Sequence, residues 1–70
     1  MDKQYLQYLN KRIRIKNGFR GGTYEGTFAG VKNNTLYVSD CTAILMHYGC
    51  QAFTPENRKF KLDKATFELA

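Results

Sequence analysis

Residues 23–31, TYEGTFAGV, decide the fold of this chain. Tyr24 and Phe28 alternate with polar or small residues, which is the period-2 pattern of a strand with one buried face. Gly26 and Gly30 lie on the same face as the two rings. Glycine inside a strand usually marks a bend, a bulge or a close approach of another backbone segment. Two such glycines predict a β-strand in a sheet that curls on itself.

The segments on both sides of this strand also indicate strands and turns. Residues 11–16, KRIRIK, place Ile13 and Ile15 on one face and cationic side chains on the other, which predicts the first strand. Residues 17–22, NGFRGG, predict a turn, because Asn-Gly and Gly-Gly both permit the positive φ of a tight hairpin. Either pair fits the turn, so the register stays open. Residues 32–34 predict the next turn, and residues 35–40 predict the third strand.

Residues 42–48 predict the fourth strand, but here the alternation fails, since residues 43–46 are all apolar. A short apolar run is typical of a strand buried on both faces. A domain of this size rarely covers both faces, so we expect a partner subunit to supply the second cover. Residues 60–69 predict one or two closing strands with an unpaired edge, which is a template for another chain. The predicted oligomer interface comprises Ile44, Leu45, Met46, Phe67 and Leu69.

The length of 70 residues predicts a single domain over residues 1–70. Residues 2–10 predict a short helix, because Asp2 can cap it and apolar side chains recur at helical spacing. Residues 49–59 contain Pro55 and predict an irregular segment. We therefore expect an all-β fold with a short N-terminal helix at about residues 2–10 and the β-structure at about residues 11–69.

Composition limits the classes of partner. The net charge of +5 favours an anionic partner, and nucleic acid is the usual one. No apolar run approaches the roughly 18 residues of a membrane helix, and the first residues do not resemble a secretory signal. We therefore expect a cytoplasmic location and no membrane partner. There, Cys41 and Cys50 stay reduced and act as small hydrophobic side chains.

The candidate catalytic and metal-binding residues match no known pattern. His47 lies in the apolar fourth strand, where a packed or interface histidine is the usual role. Cys41, His47 and Cys50 are three potential zinc ligands, whereas a structural site needs four. The glycines at 18, 21 and 22 precede a strand, not the helix N-terminus of a phosphate-binding loop. We predict no enzyme activity, catalytic residue, metal, cofactor or small-molecule substrate.

The cationic residues carry the strongest functional signal. One group lies on the first strand and the other near the end of the chain: Arg12, Arg14 and Lys16, then Arg58, Lys59, Lys61 and Lys64. Basic groups interleaved with aromatic rings suit single-stranded nucleic acid, because charge follows the backbone while rings stack on bases. The candidate rings are Phe19, Tyr24, Tyr37, Tyr48 and Phe60. The alternatives are core packing for each ring and a solvated surface for each charge.

Several segments of the chain resemble a known protein family. Residues 13–40 resemble the first Sm motif: residues 24–31 match its glycine and alternating apolar positions, and residues 36–41 resemble the strand that follows. The helix-first layout is similar to Sm and Hfq proteins, and residues 60–69 more weakly resemble the last strand of Hfq. The resemblance implies a strongly bent five-stranded antiparallel barrel. It also implies that strand four of one copy pairs with strand five of the next, giving a closed ring that binds RNA.

The chain departs from the Sm pattern at its base-binding positions. Lys32 takes the acidic position, Leu36 falls where an asparagine is expected, and the second Sm motif with its Arg-Gly pair is absent. The Lys-His pair of Hfq would fall near Asp63 and Lys64. Our leading hypothesis is a homo-oligomeric Sm-like ring that binds single-stranded RNA. The predicted RNA-binding residues are Lys32, Asn33, Asn34, Arg58, Lys59, Lys61 and Lys64.

Two other hypotheses keep a β-barrel but change its role. One is a structural or protein-interaction module on the same barrel, which the missing Sm base-binding residues favour. The other is a monomeric barrel of the oligonucleotide-binding type that binds single-stranded DNA. The first hypothesis predicts a stable oligomer that does not bind RNA, and the second predicts a monomer in solution.

Overall fold

The computed structural model of the chain describes residues 3–18, 21–45 and 55–70. It contains one short 3₁₀ helix and five strands: η1 (Lys3–Tyr8), β1 (Arg12–Lys16), β2 (Thr23–Lys32), β3 (Thr35–Leu45), β4 (Glu56–Lys61) and β5 (Thr66–Leu69). All paired strands are antiparallel and form one sheet in the order β4-β3-β2-β1-β5. The expectation of a mostly β fold with five antiparallel strands and a short N-terminal helix is confirmed.

Strands β4 and β5 are the two edges of this sheet. No pairing between them closes the sheet within the described residues, so the barrel stays a prediction. Among those same residues, no helix has the length and apolar character needed to cross a membrane.

The prediction of a separate fourth strand at residues 42–48 is wrong. Residues 42–45 continue β3, and residues 46–48 lie outside the described residues. The cause is a bulge between Val38 and Cys41, where Asp40 has a φ of 50°. Before the bulge Leu36 and Val38 face the core, and after it Cys41 and Ala43 do. The bulge therefore shifts the core-facing phase by one residue within a single continuous strand. Burial of residues 43–46 on both faces stays a prediction, because the side chain of Leu45 and all of Met46 lie outside the described residues.

Two further boundaries differ from the sequence prediction. The actual fourth strand, β4, begins at Glu56, inside the segment that was expected to be irregular, so residues 60–69 hold only its end together with β5. The helix is a 3₁₀ helix over Lys3–Tyr8, and Asp2 lies outside the described residues. Six residues cannot hold a helix in water, so η1 depends on packing. Tyr8 supplies that packing, with its ring centroid 5.8 Å from that of Phe28 and 5.1 Å from that of Phe67.

The core lies on one face of the sheet. Burial alternates along β1, where Ile13 and Ile15 are fully buried between exposed cationic residues. Fully burying an aliphatic or aromatic side chain of this size contributes about 1.5–3 kcal/mol. The other buried members are Tyr24, Phe28, Leu36, Val38, Cys41, Ala43, Phe60 and Ala65.

Both strand glycines have the roles that their positions predict. A Cβ at Gly26 would lie 2.4 Å from Val38 Cγ1 and 3.0 Å from the Cα of Cys41, so β3 approaches closely here. Gly30 has a φ of 147°, next to a register shift that begins at Phe28. The first turn uses positive φ at Asn17 (55°) and again at Gly21 (73°). It brings β1 and β2 into a register that pairs Ile13 with Gly26 and Ile15 with Tyr24.

Candidate nucleic-acid interface

The turn between β2 and β3 is built by two asparagines. Asn33 and Asn34 have φ values of 51° and 58°, which is the geometry of a type I′ hairpin, and asparagine tolerates it well. Lys32 pairs with Thr35 across the end of the hairpin. The Thr35 hydroxyl donates to the carbonyl oxygen of Asn33 at 3.2 Å. The predicted turn is therefore confirmed, and both asparagine side chains lie at the surface.

A second turn, at residues 62–64 between β4 and β5, lies directly beside the first. The side-chain amide of Asn34 donates to Asp63 Oδ1, and the backbone N–H of Leu62 donates to the carbonyl oxygen of Asn34 at 3.0 Å. These bonds connect two turns that are far apart in the sequence. They also occupy the Asn34 amide. Of the two asparagines in the first of these turns, only Asn33 has a side chain that makes no hydrogen bond within the described residues.

Three lysines cluster around these turns. Lys59 and Lys61 project from β4, and Lys64 lies in the second turn. All three line an open hollow of about 430 Å³, together with Asn17, Gly18, Gly21, Phe60 and Ala65. On the other side of β4, Lys59 and Lys61 line a second hollow of about 440 Å³, together with Asn33, Thr35, Tyr37 and Phe60. Strand β4 thus presents ammonium groups to two adjoining hollows.

No carboxylate of the described residues lies within 4 Å of these three ammonium groups. Lys61 Nζ has one polar contact, to the Thr35 hydroxyl at 3.5 Å. Lysine is a compact point charge that binds phosphate oxygens when no internal anion neutralises it. The arrangement is therefore able to hold an anionic chain at its phosphate groups.

The other predicted cationic group, on β1, is partly neutralised within the chain. Glu25 lies 3.6 Å from Arg12 and 3.5 Å from Arg14, and Lys16 lies 2.8 Å from Glu68. Two carboxylates against three cations lower the net positive charge of the β1 face, which weakens its attraction for an external polyanion.

Two predicted RNA-binding residues lie outside the lysine cluster. Arg58 forms an ion pair with Glu56 at 2.6 Å, and its guanidinium carbon lies 5.5 Å from the centroid of the Tyr24 ring. Lys32 is exposed at the end of β2 and lines neither of the two hollows.

The candidate rings separate clearly by burial. Tyr24 and Phe60 are 2% and 5% exposed, so core packing is confirmed for both. Tyr37 is 41% exposed and pairs across the strands with Lys59. Phe19 and Tyr48 lie outside the described residues. Tyr37 is therefore the one candidate ring in the described part of the chain whose face is accessible beside a lysine.

The residues predicted to form the oligomer interface differ in their surroundings. Phe67 is half-buried against Tyr5 and Tyr8 of its own chain, whereas Leu69 is 52% exposed on the edge strand β5. Ile44 is half-buried in β3. Met46 and the side chain of Leu45 lie outside the described residues.

The described residues contain no group of three or more His, Cys, Asp or Glu side chains that could hold a metal ion. Cys41 is buried, and desolvation raises the pKa of its thiol to about 11 from 9.0. Such a thiol stays protonated near neutral pH and is a poor nucleophile. His47 and Cys50 lie outside the described residues.

Sequence reasoning selected the lysines and Asn33 but missed what surrounds them. It did not predict that Asn17 and the first turn border the hollow, or that Asp63 binds Asn34. The only local signal was the clustering of asparagine and glycine in turns. Comparison with protein-family models, with curated proteins and with solved structures found no match to this chain.

Proposed function

We propose that this chain is an Sm-like protein that assembles into a homo-oligomeric ring and binds single-stranded RNA in the cytoplasm. The observation that carries the RNA-binding part is the cluster of Lys59, Lys61 and Lys64, which has no carboxylate partner in the described chain and surrounds hollows next to Asn33.

The chemistry of the cluster suits a single strand better than a duplex. The ammonium groups bind phosphates, while the exposed amide of Asn33 offers one acceptor and two donors to base edges. Base edges are accessible to such a group where bases are unpaired. Together these groups bind both the charge and the bases of one RNA strand.

The two edges of the sheet support the proposal that subunits assemble into a ring. The Sm resemblance implies pairing between strand four of one copy and strand five of the next. Strand four was expected at residues 42–48, but the fourth strand of the described chain is β4, and β4 and β5 are the two edge strands. Exposed edges form hydrogen bonds with another chain unless they are blocked, and repeated head-to-tail pairing closes a ring when the rotation permits. The exposed Leu69 on β5 adds apolar area to that contact.

The first experiment measures RNA binding by fluorescence anisotropy with U-rich and A-rich oligomers. Three phosphate contacts predict a slope of about −2 for log affinity against log salt, which is about a 16-fold loss between roughly 50 and 200 mM. Lys61→Gln with Lys64→Gln should reduce the slope by about 1.4. The matched control, Lys3→Gln with Lys11→Gln, removes the same charge from exposed positions outside both hollows.

If both double variants lose RNA affinity equally, RNA binds to the overall positive charge of the protein, and the proposed site is refuted. RNA affinity that does not change with salt would refute phosphate contacts altogether.

The second experiment measures the mass of the protein in solution by light scattering, with and without RNA. A well-folded single subunit at high concentration would exclude the ring and favour the monomeric barrel. A stable oligomer without RNA affinity would favour the interaction module.

A further inference from the structure

Tyr37 stands between two hollows on the same side of the sheet. One is the hollow shared with Asn33 and Lys61. The other, of about 400 Å³, lies beyond Tyr37 and is lined by Ala29, Val38, Ser39, Asn57, Arg58 and Lys59. Tyr37 and Lys59 line both hollows, because they are directly paired on neighbouring strands.

The composition of the second hollow differs from that of the first. Its lining combines the Tyr37 ring with the apolar side chain of Ala29, and its polar groups are those of Ser39 and Asn57. The Val38 side chain faces the core on the other side of the sheet. Because Glu56 already pairs with Arg58, Lys59 is the cation of this hollow without a carboxylate within 4 Å in the described chain. The hollow thus offers a flat ring, a small apolar side chain, an amide and one free cation. These groups match the parts of a nucleotide: the base, its polar edge and its phosphate.

The exposure of Tyr37 supports a binding role in place of a packing role. The core on the opposite face of the sheet is complete without this ring, and 41% of Tyr37 remains accessible. Stacking on an exposed tyrosine is tolerant of sequence because every base has a π-face.

We propose that Tyr37 stacks one unpaired nucleobase of the bound RNA strand and that Lys59 holds the adjoining phosphate. This inference rests on the proposed RNA binding and extends the strand's path from the two turns across β3 and β4. Asn57 then lies where it can contact the edge of the stacked base.

The test compares two oligomers of equal length and charge, one with normal bases and one whose sugars carry no bases. Stacking is worth about 1–3 kcal/mol per base, so the wild-type protein should bind the normal strand at least about 5-fold more tightly. Tyr37→Phe retains the aromatic face and should keep this ratio. Tyr37→Leu should lower the ratio by at least about 5-fold with an unchanged salt slope. Thermal melts of both variants verify folding.

Each outcome separates the subsite from the proposed function. A ratio near one in the wild type, with steep salt dependence, would overturn the Tyr37 subsite and leave phosphate binding intact. An unchanged ratio in Tyr37→Leu would overturn it as well, because the bases would then stack elsewhere. Failure of the wild type to bind either strand would overturn RNA binding itself, and the subsite with it.

Discussion

Substitution of Gly26 tests the close approach of β2 and β3. In Gly26→Ala the new Cβ would lie 2.4 Å from Val38 Cγ1 and 3.0 Å from both Cys41 Cα and Ser39 O. The Val38 side chain is 2% exposed, and the other two neighbours are backbone atoms, so little can move aside. Overpacking of this kind costs about 1–3 kcal/mol. In a domain of this size, 2 kcal/mol lowers Tm by about 8–16 °C.

The assay is urea and thermal unfolding followed by circular dichroism at one fixed subunit concentration, because association also changes apparent stability. Val38→Ala and the double variant complete a double-mutant cycle. If the contact with Val38 dominates, the double variant loses less stability than the sum of the single losses. A Gly26→Ala protein within about 0.5 kcal/mol of the wild type would refute the steric reasoning.

Three further predictions concern the thiol, the paired turns and the β1 face. Burial raises the pKa of Cys41 to about 11, so its stabilising effect is complete below pH 9.0 and is lost as the pH rises towards 11. The urea midpoint should therefore fall more steeply above pH 9.0 in the wild type than in Cys41→Ala. In unfolding measurements Asn34→Gly should cost about 1 kcal/mol through the lost bond to Asp63, and Asn34→Ala about 1 kcal/mol more because of its positive φ. Glu25→Gln should change stability by less than about 1 kcal/mol, yet raise low-salt RNA affinity several-fold by releasing two arginines.

The outcomes that would contradict these predictions are distinct. Parallel pH profiles for the wild type and Cys41→Ala would exclude a buried thiol as the cause of alkaline destabilisation. Equal stability of Asn34→Gly and Asn34→Ala would contradict the left-handed turn. RNA affinity that is unchanged in Glu25→Gln at low salt would show that the β1 face lies too far from the bound strand to matter.

Local pattern was sufficient to predict the elements whose partners are close in sequence. The alternation of Ile13 and Ile15 predicts β1, and Tyr24 with Phe28 predicts β2, because burial on one face of a strand repeats every second residue. The asparagine turn followed from residue type alone, since few side chains tolerate two successive positive φ values. Lys59 and Lys61 of β4 are exposed, and their role in RNA binding stays a prediction.

Register and charge pairing were decided only by the tertiary structure. The bulge at Asp40 depends on how β3 meets its neighbours, so residues 42–45 were taken for the start of a separate strand although they continue β3. Glu25 forms ion pairs with two arginines of β1, and Glu68 pairs with Lys16 from the other end of the chain. Residue types along a chain encode which face a side chain prefers, but the distance between two charges is set by contacts between remote segments. For that reason the sequence identified the cations, and the fold determined which of them remain free to bind a partner.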